Sequence, residues 1–361
     1  MGTRTAVLLS YRLGGQDGVS VEARKWQWAL QHLGFAVRRV AGEFDDDLSA
    51  ADICLPFLAR ERRPGQPAEH REIGRAVADA DLVVVENLCS LPLNLEAARA
   101  AAAALAAFAG RVVFHHHDLP WERAEFEPYT EFPPRRSNSL HVVISEQARA
   151  ALALRGMDAV TIRNGFDLDA KPGRRTSTRR RLGFSPQDVV VLQPTRAIAR
   201  KDVGRGLDLA ERLTVELPRR RVRYWLTGPA EDGYATTLED ILGAARISTT
   251  HLRTENVSDA YAASDVVVMP SRWEGFGNPV IEAMIARRPV ASAPYPVLRE
   301  LLELGLHVLP IDDPSAVARF LQRPDAGILE GNRDVVAREL ALADLPKRLT
   351  DAFGRVGWAD W

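Results

Sequence analysis

The sequence is poor in cysteine and has no long uninterrupted apolar run. Cys54 and Cys89 are the two cysteines in 361 residues, and no paired cysteine motif is present. We therefore expect neither a disulfide framework nor a cysteine-based metal centre, and a reducing cytoplasm is the expected compartment. The longest apolar segment, residues 97–110, contains Arg99 and is mostly alanine. Because it is too short for a membrane span, it predicts a packed helix and no integral membrane segment.

An excess of charge of one sign is also absent. The 47 Lys and Arg residues nearly balance the 48 Asp and Glu residues, and the formal net charge is −1. Nucleic acid is not an expected partner, because dedicated nucleic-acid-binding domains are strongly basic. Residues 1–7 show no basic region followed by an apolar leader, so no targeting segment is expected. A cytoplasmic protein is the resulting expectation.

Short apolar runs alternate with helical segments along the whole chain. This alternation is typical of a doubly wound parallel α/β protein, and the length suits two Rossmann-like domains, residues 1–164 and 165–344. A final helix over 345–361 is expected to pack back on the first domain. The strand carboxyl ends of both domains are expected to face one interdomain cleft. The predicted strands lie at 5–10, 36–40, 82–85, 111–115 and 140–144, then at 189–193, 221–226, 265–269, 289–292 and 307–309.

Residues 270–282 carry the most information about function. They follow Asp265–Met269, a short β-branched run that predicts a buried parallel strand. Two glycines then predict a tight turn. Asn278 and Pro279 predict the N-cap and the first position of a helix. Loop amides and a helix N-terminus at the end of a strand suit a phosphate group.

Two glutamates flank that predicted phosphate site. Glu274 lies in the loop beside Gly275 and Gly277, and Glu282 lies in the opening turns of the helix. Carboxylates accept hydrogen bonds from hydroxyl groups. The segment therefore predicts a site that holds sugar hydroxyls next to a diphosphate.

Cations follow the first strand of the second domain. Arg196 and Lys201 lie on a loop at the carboxyl end of that strand, where they suit a diphosphate. A solvated loop is the alternative, because arginine is abundant throughout the chain. We interpret the arginine-rich run at 174–181 as a solvated linker and first helix rather than a binding patch.

A glycine-rich turn follows the first strand. Gly15 lies in the segment Gly14–Gly18, which lacks the spacing of a dinucleotide-binding motif, and Ser20 is the candidate cap of the next helix. Ligand contact and a plain tight turn remain equally good interpretations. Glu43, after the second strand, would suit a ribose hydroxyl in a dehydrogenase.

Histidines end the strand at 111–115. Alternation places His115 and His117 on one face and His116 on the other, so a three-histidine metal site is not expected. His117 is a candidate hydrogen-bonding partner for a sugar hydroxyl. The acidic run 45–47 predicts a surface loop, because no further metal ligands lie near it.

Two further strand ends are expected to face the same cleft. Gly228 and Pro229 follow one predicted strand, and His251, Leu252 and Arg253 end the next. The aromatic-rich loop 119–136 follows no pattern that assigns it a role, and both an acceptor cover and plain surface packing stay open.

In order and spacing, these residues resemble the retaining GT-B glycosyltransferases of family 4, the group with an E-x7-E motif. The resemblance spans most of the chain. Its most specific blocks are Ser258–Asp265 and Pro270–Ala283, and the weaker ones are Gly14-Gly15, His117-Asp118, Ser145-Glu146, Asn164–Asp167, Arg196 with Lys201, and Gly228-Pro229.

The resemblance implies a role for each matching position. Glu282 would bind the ribose of a nucleotide sugar, and Glu274 and His117 would contact the transferred sugar. Arg196 and Lys201 would neutralise the leaving diphosphate. The remaining donor-binding positions would be Gly15, Gly228, Pro229, Leu252, Arg253, Gly275, Phe276, Gly277, Asn278 and Pro279, with the nucleobase near 252–253.

The implied reaction is hexosyl transfer from a nucleoside diphosphate sugar, of the UDP-glucose or GDP-mannose type, to an acceptor hydroxyl with retention. The first domain would bind the acceptor and the second the nucleotide sugar. No cofactor or essential metal is expected, because cations and a helix terminus can stabilise the leaving group. In the absence of a clear basic amphipathic helix, a small polar acceptor is favoured over a lipid.

Three alternatives stay open. A sugar-nucleotide epimerase or a phosphorylase could use the same architecture, although a cofactor lysine and a phosphate acceptor site are not evident. A dinucleotide-dependent oxidoreductase would explain the glycine loop and Glu43 but not the two glutamates of 270–282. A catalytically silent sugar-nucleotide sensor would use the same polar positions without turnover.

Overall fold

A computed structural model describes residues 4–61, 69–169 and 171–358. The chain forms two compact units. The first unit comprises residues 1–165 and 342–361, and the second comprises residues 166–341. Within the described ranges, no helix combines the length and the apolar character needed to cross a bilayer.

The first unit is a parallel sheet covered by helices. Its strands are β1 (Arg4–Leu13), β2 (Phe35–Phe44), β3 (Ile53–Cys54), β4 (Leu82–Glu86), β5 (Arg111–His116), β6 (Ser139–Val143) and β7 (Val160–Thr161). The strand order is β3-β2-β1-β4-β5-β6-β7, and every pairing is parallel. Its first four helices are α1 (Gly18–His32), α2 (His70–Val77), α3 (Leu95–Ala107) and α4 (Glu146–Ala153).

The second unit repeats this plan. Its strands are β8 (Val189–Gln193), β9 (Val222–Leu226), β10 (Ser248–His251), β11 (Val266–Met269), β12 (Val290–Ser292) and β13 (Leu309–Pro310), in the order β10-β9-β8-β11-β12-β13. Its helices are α5 (Arg175–Arg181), α6 (Val203–Glu216), α7 (Ala235–Gly243), α8 (Val257–Ala263), α9 (Asn278–Ile285), α10 (Pro296–Glu303), α11 (Pro314–Gln322) and α12 (Ala326–Glu339). The predicted doubly wound α/β class is confirmed in both units.

The strand order creates one switch point in each sheet. In the first unit it lies between β1 and β4, and in the second between β8 and β11. Loops that leave two neighbouring strands in opposite directions at such a point open a crevice at the carboxyl ends. The central strands are buried on both faces, as the unbroken burial of β4 and β11 shows. Ligand-binding residues are therefore expected in the loops after β1 and β4 and after β8 and β11.

The C-terminal segment belongs to the first unit. Helix α13 (Leu345–Arg355) packs on α1. Its apolar face joins the buried cluster around Trp26, and Trp358 donates from Nε1 to Oδ1 of Asn138 at 3.1 Å. Trp361, included in the predicted final helix, lies outside the described residues.

The arginine-rich run at 174–181 contains the predicted first helix, α5, and Arg174, Arg180 and Arg181 are exposed as expected, but Arg179 is buried. Arg174 bonds to Asp259 at 2.8 Å, and Arg175 and Arg179 both bond to Asp265, at 2.6 and 2.7 Å. The guanidinium of Arg179 is almost fully buried. Helix α5 packs on α8, and this contact brings its cations to acidic side chains that are distant in sequence.

Two local expectations near β1 also need correction. The cap of α1 is Asp17, whose carboxylate accepts a hydrogen bond from the backbone N–H of Ser20 at 3.2 Å. Ser20 is therefore inside the helix. Glu43 lies within β2, in register with Arg12 on β1, and not after the strand. The exposed acidic run 45–47 is on the surface as expected, with Asp46 bonded to Arg39 at 2.7 Å.

Candidate active site

A buried ion pair occupies the switch point of the second unit. Lys201, on the loop after β8, donates from Nζ to both carboxylate oxygens of Glu274, on the loop after β11, at 2.6 Å to Oε2. Only 9% and 7% of the two side chains are exposed. The structure thus joins the two residues through a direct contact between neighbouring strand ends.

Burial and mutual attraction have opposite effects on the acidity of this pair. Burial acts to raise the pKa of Glu274, but Lys201 and Arg200 outweigh burial and lower it. Burial lowers the pKa of Lys201 to about 8, even though Glu274 favours the charged form. Glu274 is therefore an anion and Lys201 a cation at neutral pH, with the lysine close to its titration range.

Arg200 is a site residue that the sequence patterns did not reveal. Its guanidinium lies 3.4 Å from Oε2 of Glu274 and donates to the carbonyl oxygen of Trp273 at 3.0 Å. The same group stacks over the Trp273 ring at 5.4 Å, and the Arg200 carbonyl accepts from the Arg272 N–H at 2.9 Å. The two loops are therefore bonded to each other through both side chains and backbone. One arginine in a chain rich in arginine carried no separate signal.

The second glutamate has a different partner. Glu282, on α9, accepts a hydrogen bond from the Tyr261 hydroxyl at 2.5 Å. Tyr261 lies on α8 and is buried. Burial and the nearby Glu282 both raise the pKa of Tyr261, so the tyrosine remains a donor. Glu274 and Glu282 thus lie on the loop and the helix as predicted, each oriented by its own partner.

The turn before α9 differs from its predicted form. Gly277, not Asn278, is the N-cap, and Asn278 is the first residue of the helix with Pro279 next. Gly277 has φ of +95°, which side chains rarely adopt, and a Cβ there would lie 2.2 Å from the Tyr295 hydroxyl oxygen. Both the conformation and the close approach therefore require glycine.

Tyr295 is a second site residue missed from the sequence. It is 4% exposed, and its hydroxyl has no hydrogen-bond partner within the ranges that the structure describes. Burial, with Glu274 nearby, raises its pKa. A buried hydroxyl left without a partner costs about 1–3 kcal/mol. Its place beside Gly277 and Glu274 makes it a candidate contact for a ligand.

The other predicted donor-binding residues of the loop lie around this turn. Phe276 is buried and stacks on Phe166 with ring centroids 6.2 Å apart, while Gly275 is half-buried. The side chain of Phe276 therefore has a packing role, and its backbone remains the part suited to a ligand.

Arg196 does not share the Lys201–Glu274 pair. It bonds to Glu231, on the loop after β9, at 2.7 Å, and about a third of its side chain is exposed. Lys201 and Arg196 nevertheless lie close enough for Arg196 to help lower the pKa of Lys201. Arg196 thus borders the buried pair on its more exposed side.

Packing explains several of the remaining positions. A Cβ on Gly228 would lie 2.2 Å from the Thr195 carbonyl oxygen, and the Pro229 carbonyl accepts from the Ala197 N–H at 2.8 Å. Gly228 and Pro229 therefore hold the loops after β8 and β9 together. The Leu252 carbonyl accepts from Nε1 of Trp225 at 2.8 Å, whereas the side chains of Leu252 and Arg253 are exposed.

The first unit brings a carboxylate and two histidines together at the end of β4 and β5. Oε2 of Glu86 lies 2.8 Å from Nδ1 of His115 and 2.8 Å from Nε2 of His117. Alternation predicted the shared face of these two histidines, and it is confirmed. His116 points the other way, with Nε2 at 2.9 Å from Nδ1 of His141. The sequence patterns did not single out Glu86.

Glu86 is ionised despite complete burial. Burial opposes its ionisation, but His115 and His117 outweigh burial and lower its pKa to about 2. Burial lowers the pKa of His115. For His117 burial also disfavours the charged form, but the hydrogen bond to Glu86 outweighs it and raises the pKa. Glu22, bonded to Lys25 on α1, adds a second buried carboxylate beside them.

The same three side chains are the group, among the described residues, whose geometry could hold a metal ion. Their ligand atoms lie within 4.8 Å of one another, and all three residues are buried. Both rings bond to the carboxylate, but Nε2 of His115 and Oε1 of Glu86 are buried without a hydrogen-bond partner among the described residues.

The glycine turn after β1 lies among acidic side chains. A Cβ on Gly15 would be 2.6 Å from Oδ2 of Asp45, and its carbonyl accepts from Arg24 at 2.6 Å. This close approach suits a tight turn, and contact of Gly15 with a ligand stays a prediction. In the loop 119–136, Phe132 joins the core and Arg155 lies over the Trp121 ring at 3.6 Å, so part of that loop packs on its own unit.

The sequence has relatives among known glycosyltransferases. The family described as "Glycosyl transferases group 1" matches residues 196–323. Mannosylglucosylglycerate synthase of Thermotoga maritima is 28% identical over 92% of this chain and 91% of its own. Mannosylglucosylglycerate synthase of Petrotoga mobilis is 25% identical over 88% of each protein.

Solved structures share the fold. Anabaena Alr3699/HepE in complex with UDP-glucose matches with a TM-score of 0.76 over 98% of this chain and all of that one, at 17% identity. The two parallel Rossmann-like sheets and their switch-point loops agree with the fold of these relatives. The second unit matches the group 1 glycosyltransferase family over residues 196–323, and the whole chain shares the GT-B fold of the solved glycosyltransferase structures.

Proposed function

We propose that this protein transfers a hexosyl group from a nucleoside diphosphate sugar to a hydroxyl of a small polar acceptor, with retention at the anomeric carbon and without an essential metal. The observation that carries the proposal is the Lys201–Glu274 pair. A buried ion pair is weak evidence for stability, because desolvation offsets the attraction between the charges. A pair kept at a switch point instead suits a ligand that carries both hydroxyls and phosphates.

The leaving group is a nucleoside diphosphate, which gains negative charge as the glycosidic bond breaks. Lys201 and Arg200 are fixed cations beside that position, and Arg196 lies at its more exposed border. The N-terminus of α9 adds a partial positive charge directed at an anion. Preorganised charges of this kind stabilise a developing diphosphate without a divalent ion.

The carboxylates would bind the two sugars of the donor. Glu274 would accept from hydroxyls of the transferred hexose, and Glu282, oriented by Tyr261, from the ribose. The Tyr295 hydroxyl, next to Gly277, would gain its missing hydrogen bond from the hexose or the diphosphate. His117 would contact the transferred hexose. These four contacts would fix the donor at both ends of the bond that breaks.

The chemistry would need no protein nucleophile. In the reaction that the family resemblance implies, the acceptor oxygen attacks the anomeric carbon on the face from which the diphosphate leaves. The bond from that carbon to the phosphate oxygen breaks, and the departing phosphate takes the acceptor proton. The cations at 196, 200 and 201 would hold the departing diphosphate in place until it has taken the acceptor proton.

The relatives suggest the first substrates to test. Their names describe the synthesis of a product that joins mannosyl, glucosyl and glycerate units. GDP-mannose with glucosylglycerate is therefore the first donor and acceptor pair, and UDP-glucose with glycerate the second. Both acceptors are small and polar.

A donor panel tests the proposal. Binding to the folded state raises the unfolding temperature by mass action, so UDP-, GDP- and ADP-sugars can be ranked by thermal shift. Transfer by the best donor is then followed by NMR, where the anomeric coupling reports retention, with and without EDTA. Absence of transfer from every binding donor would contradict the transferase proposal, and inversion at the anomeric carbon would contradict retention. Loss of activity in EDTA that zinc or magnesium restores would contradict the absence of an essential metal.

One control separates the nearest alternative. The best donor incubated without an acceptor would yield a new sugar nucleotide for an epimerase, and with inorganic phosphate it would yield a sugar phosphate for a phosphorylase. The transferase proposal expects neither product.

A further inference from the structure

The end of β4 holds one carboxylate between two imidazole rings. Glu86 has no exposed side-chain surface, and its Oε2 is the shared partner of His115 and His117. The two rings lie 4.3 Å apart, and Trp26 stacks on His115 at 4.2 Å. This packing leaves Glu86 and His115 little freedom to move, while 7% of the His117 side chain remains exposed.

The hydrogen bonds determine which ring nitrogens carry a proton. An ionised carboxylate only accepts, so the nitrogen that faces Glu86 must donate in each ring. His115 therefore carries its proton on Nδ1 and His117 on Nε2. Nε2 of His115 is buried without a partner among the described residues. Nδ1 of His117 is the nitrogen of the pair that a ligand can reach.

We propose that Glu86 is a positioning residue for the transferase reaction: it holds His117 in one orientation, with Nε2 protonated, so that Nδ1 faces a hydroxyl of the transferred hexose. This inference rests on the proposed function. His115 supports Glu86 from the other side and touches no ligand. A sugar hydroxyl both donates and accepts, so it suits Nδ1 in either charge state of the ring.

The surrounding charges favour a fixed carboxylate over a mobile one. Glu22 and Lys25 lie behind the cluster on α1, and Asp118 follows His117 on the loop. Glu22 is buried and bonded to Lys25, and together with Glu86 it favours the charged form of His117.

Glu86→Gln tests this role because it keeps the shape of the side chain and changes its hydrogen-bonding groups. Both rings bond to the same oxygen, Oε2. An amide can present there either its oxygen, a weaker acceptor than a carboxylate, or its NH2 group, which would require a bare nitrogen on both rings. We expect kcat with the best donor to fall about 10–100-fold, the usual range for a residue that orients another, with a smaller change in donor KM. Glu86→Asp should recover part of kcat.

A double-mutant cycle with His117→Ala shows whether Glu86 acts through His117. If it does, Glu86→Gln should cost little further activity in the His117→Ala background. Asp188→Asn is the matched control. Asp188 is also a buried carboxylate with two cationic partners, Arg221 and Arg223. It lies just before β8, at the amino ends of the strands, whereas Glu86 lies at a carboxyl end. The Asp188→Asn variant should be less stable than the wild type and keep the wild-type kcat.

A second measurement does not depend on turnover. In ¹⁵N-histidine NMR of the wild-type protein at a pH where the ring is neutral, with His117→Ala for assignment, the ring of His117 should show the Nε2–H form. A neutral His117 ring protonated on Nδ1, wild-type kcat in Glu86→Gln, additive costs in the cycle, or a stoichiometric metal bound by these side chains would overturn the proposal. Absence of transfer by the wild type would instead contradict the proposed function, and the NMR result would still decide the role of Glu86.

Discussion

Lys201 Nζ lies 2.6 Å from Oε2 of Glu274, and the contact joins two loops separated by 73 residues in sequence. It is buried at the point where β8 and β11 end. Removal of one partner would leave the other as an uncompensated buried charge. Replacement of both by methionine would leave an apolar contact of similar volume.

The first prediction separates the stability of this pair from its function. Lys201→Met and Glu274→Met should each lower the free energy of unfolding by about 3–5 kcal/mol, whereas the double variant should lie within about 1 kcal/mol of the wild type. Denaturant unfolding measures this. All three variants should lose at least ~10²-fold in kcat/KM, because the cation and the carboxylate both stabilise the transition state. An active double variant would show that the pair is only structural.

The second prediction concerns the pH dependence of activity. Since burial lowers the pKa of Lys201 to about 8, the free enzyme loses this cation as the pH rises through 8. We expect kcat/KM to fall about tenfold per pH unit above that value. A bound diphosphate favours the cation, so kcat should fall only at higher pH. If Lys201→Arg retains activity, its alkaline limb should move upward, since arginine stays charged.

The same shift predicts how stability changes with pH. Between about pH 8 and the ordinary lysine value of 10.5, the unfolded state binds more protons than the folded state. The free energy of unfolding should therefore rise with pH in this window, relative to Lys201→Met, by up to about 3 kcal/mol for a shift of this size. Unfolding at several pH values tests the sign. A fall in that difference would show that the folded pKa is not lowered.

The third prediction concerns the Tyr295 hydroxyl. Tyr295→Phe removes a buried group that has no hydrogen-bond partner in the described part of the chain, so the protein should be as stable as the wild type or more stable. If the hydroxyl contacts the donor, the donor Kd should rise about 5–30-fold, the cost of roughly 1–2 kcal/mol. Isothermal titration with the best donor measures this. Unchanged affinity would remove Tyr295 from the donor site.

The fourth prediction couples Gly277 to Tyr295. Gly277→Ala places a Cβ 2.2 Å from the tyrosine oxygen on a backbone with φ of +95°. We expect a loss of about 2–4 kcal/mol in stability, the sum of backbone strain and the clash. In the Tyr295→Phe background the oxygen is gone and the loss should be smaller. Equal losses in both backgrounds would show that the loop moves away instead.

The fifth prediction concerns the orientation of Glu282. Glu282→Gln should weaken binding of the free nucleoside diphosphate about tenfold if the carboxylate accepts from the ribose hydroxyls, since a charged acceptor is stronger. Tyr261→Phe should have a smaller effect in the same direction, because it only releases Glu282. The 2′-deoxy nucleotide provides the control: it should bind the wild type weakly and lose little further in Glu282→Gln.

Much of the fold could be predicted because parallel strands buried on both faces have a clear sequence pattern. β4, β8 and β11 are short, aliphatic and bounded by polar residues, and their predicted positions match to within a residue. β3 and β7 have two residues each and were missed.

The site divides in the same way. Glu274, Glu282 and Lys201 could be selected because their order along strand ends is visible in one dimension. Glu86, Arg200 and Tyr295 could not, because their importance arises from contacts across 29 to 74 residues or from a hydroxyl left without a partner among the described residues. The cap at Gly277 was missed because Asn278 is a better N-cap by residue type, but only glycine accepts the conformation required there.

The return of residues 342–361 to the first unit affects how the chain folds during synthesis. The ribosome must translate all of 166–341 before this segment appears, which takes roughly 10–35 s at 5–20 residues per second. Until then, the apolar surface of α1 and its neighbours around Trp26 remains uncovered in the nascent chain. The first unit is therefore the earlier one to start folding and the last one to be completed.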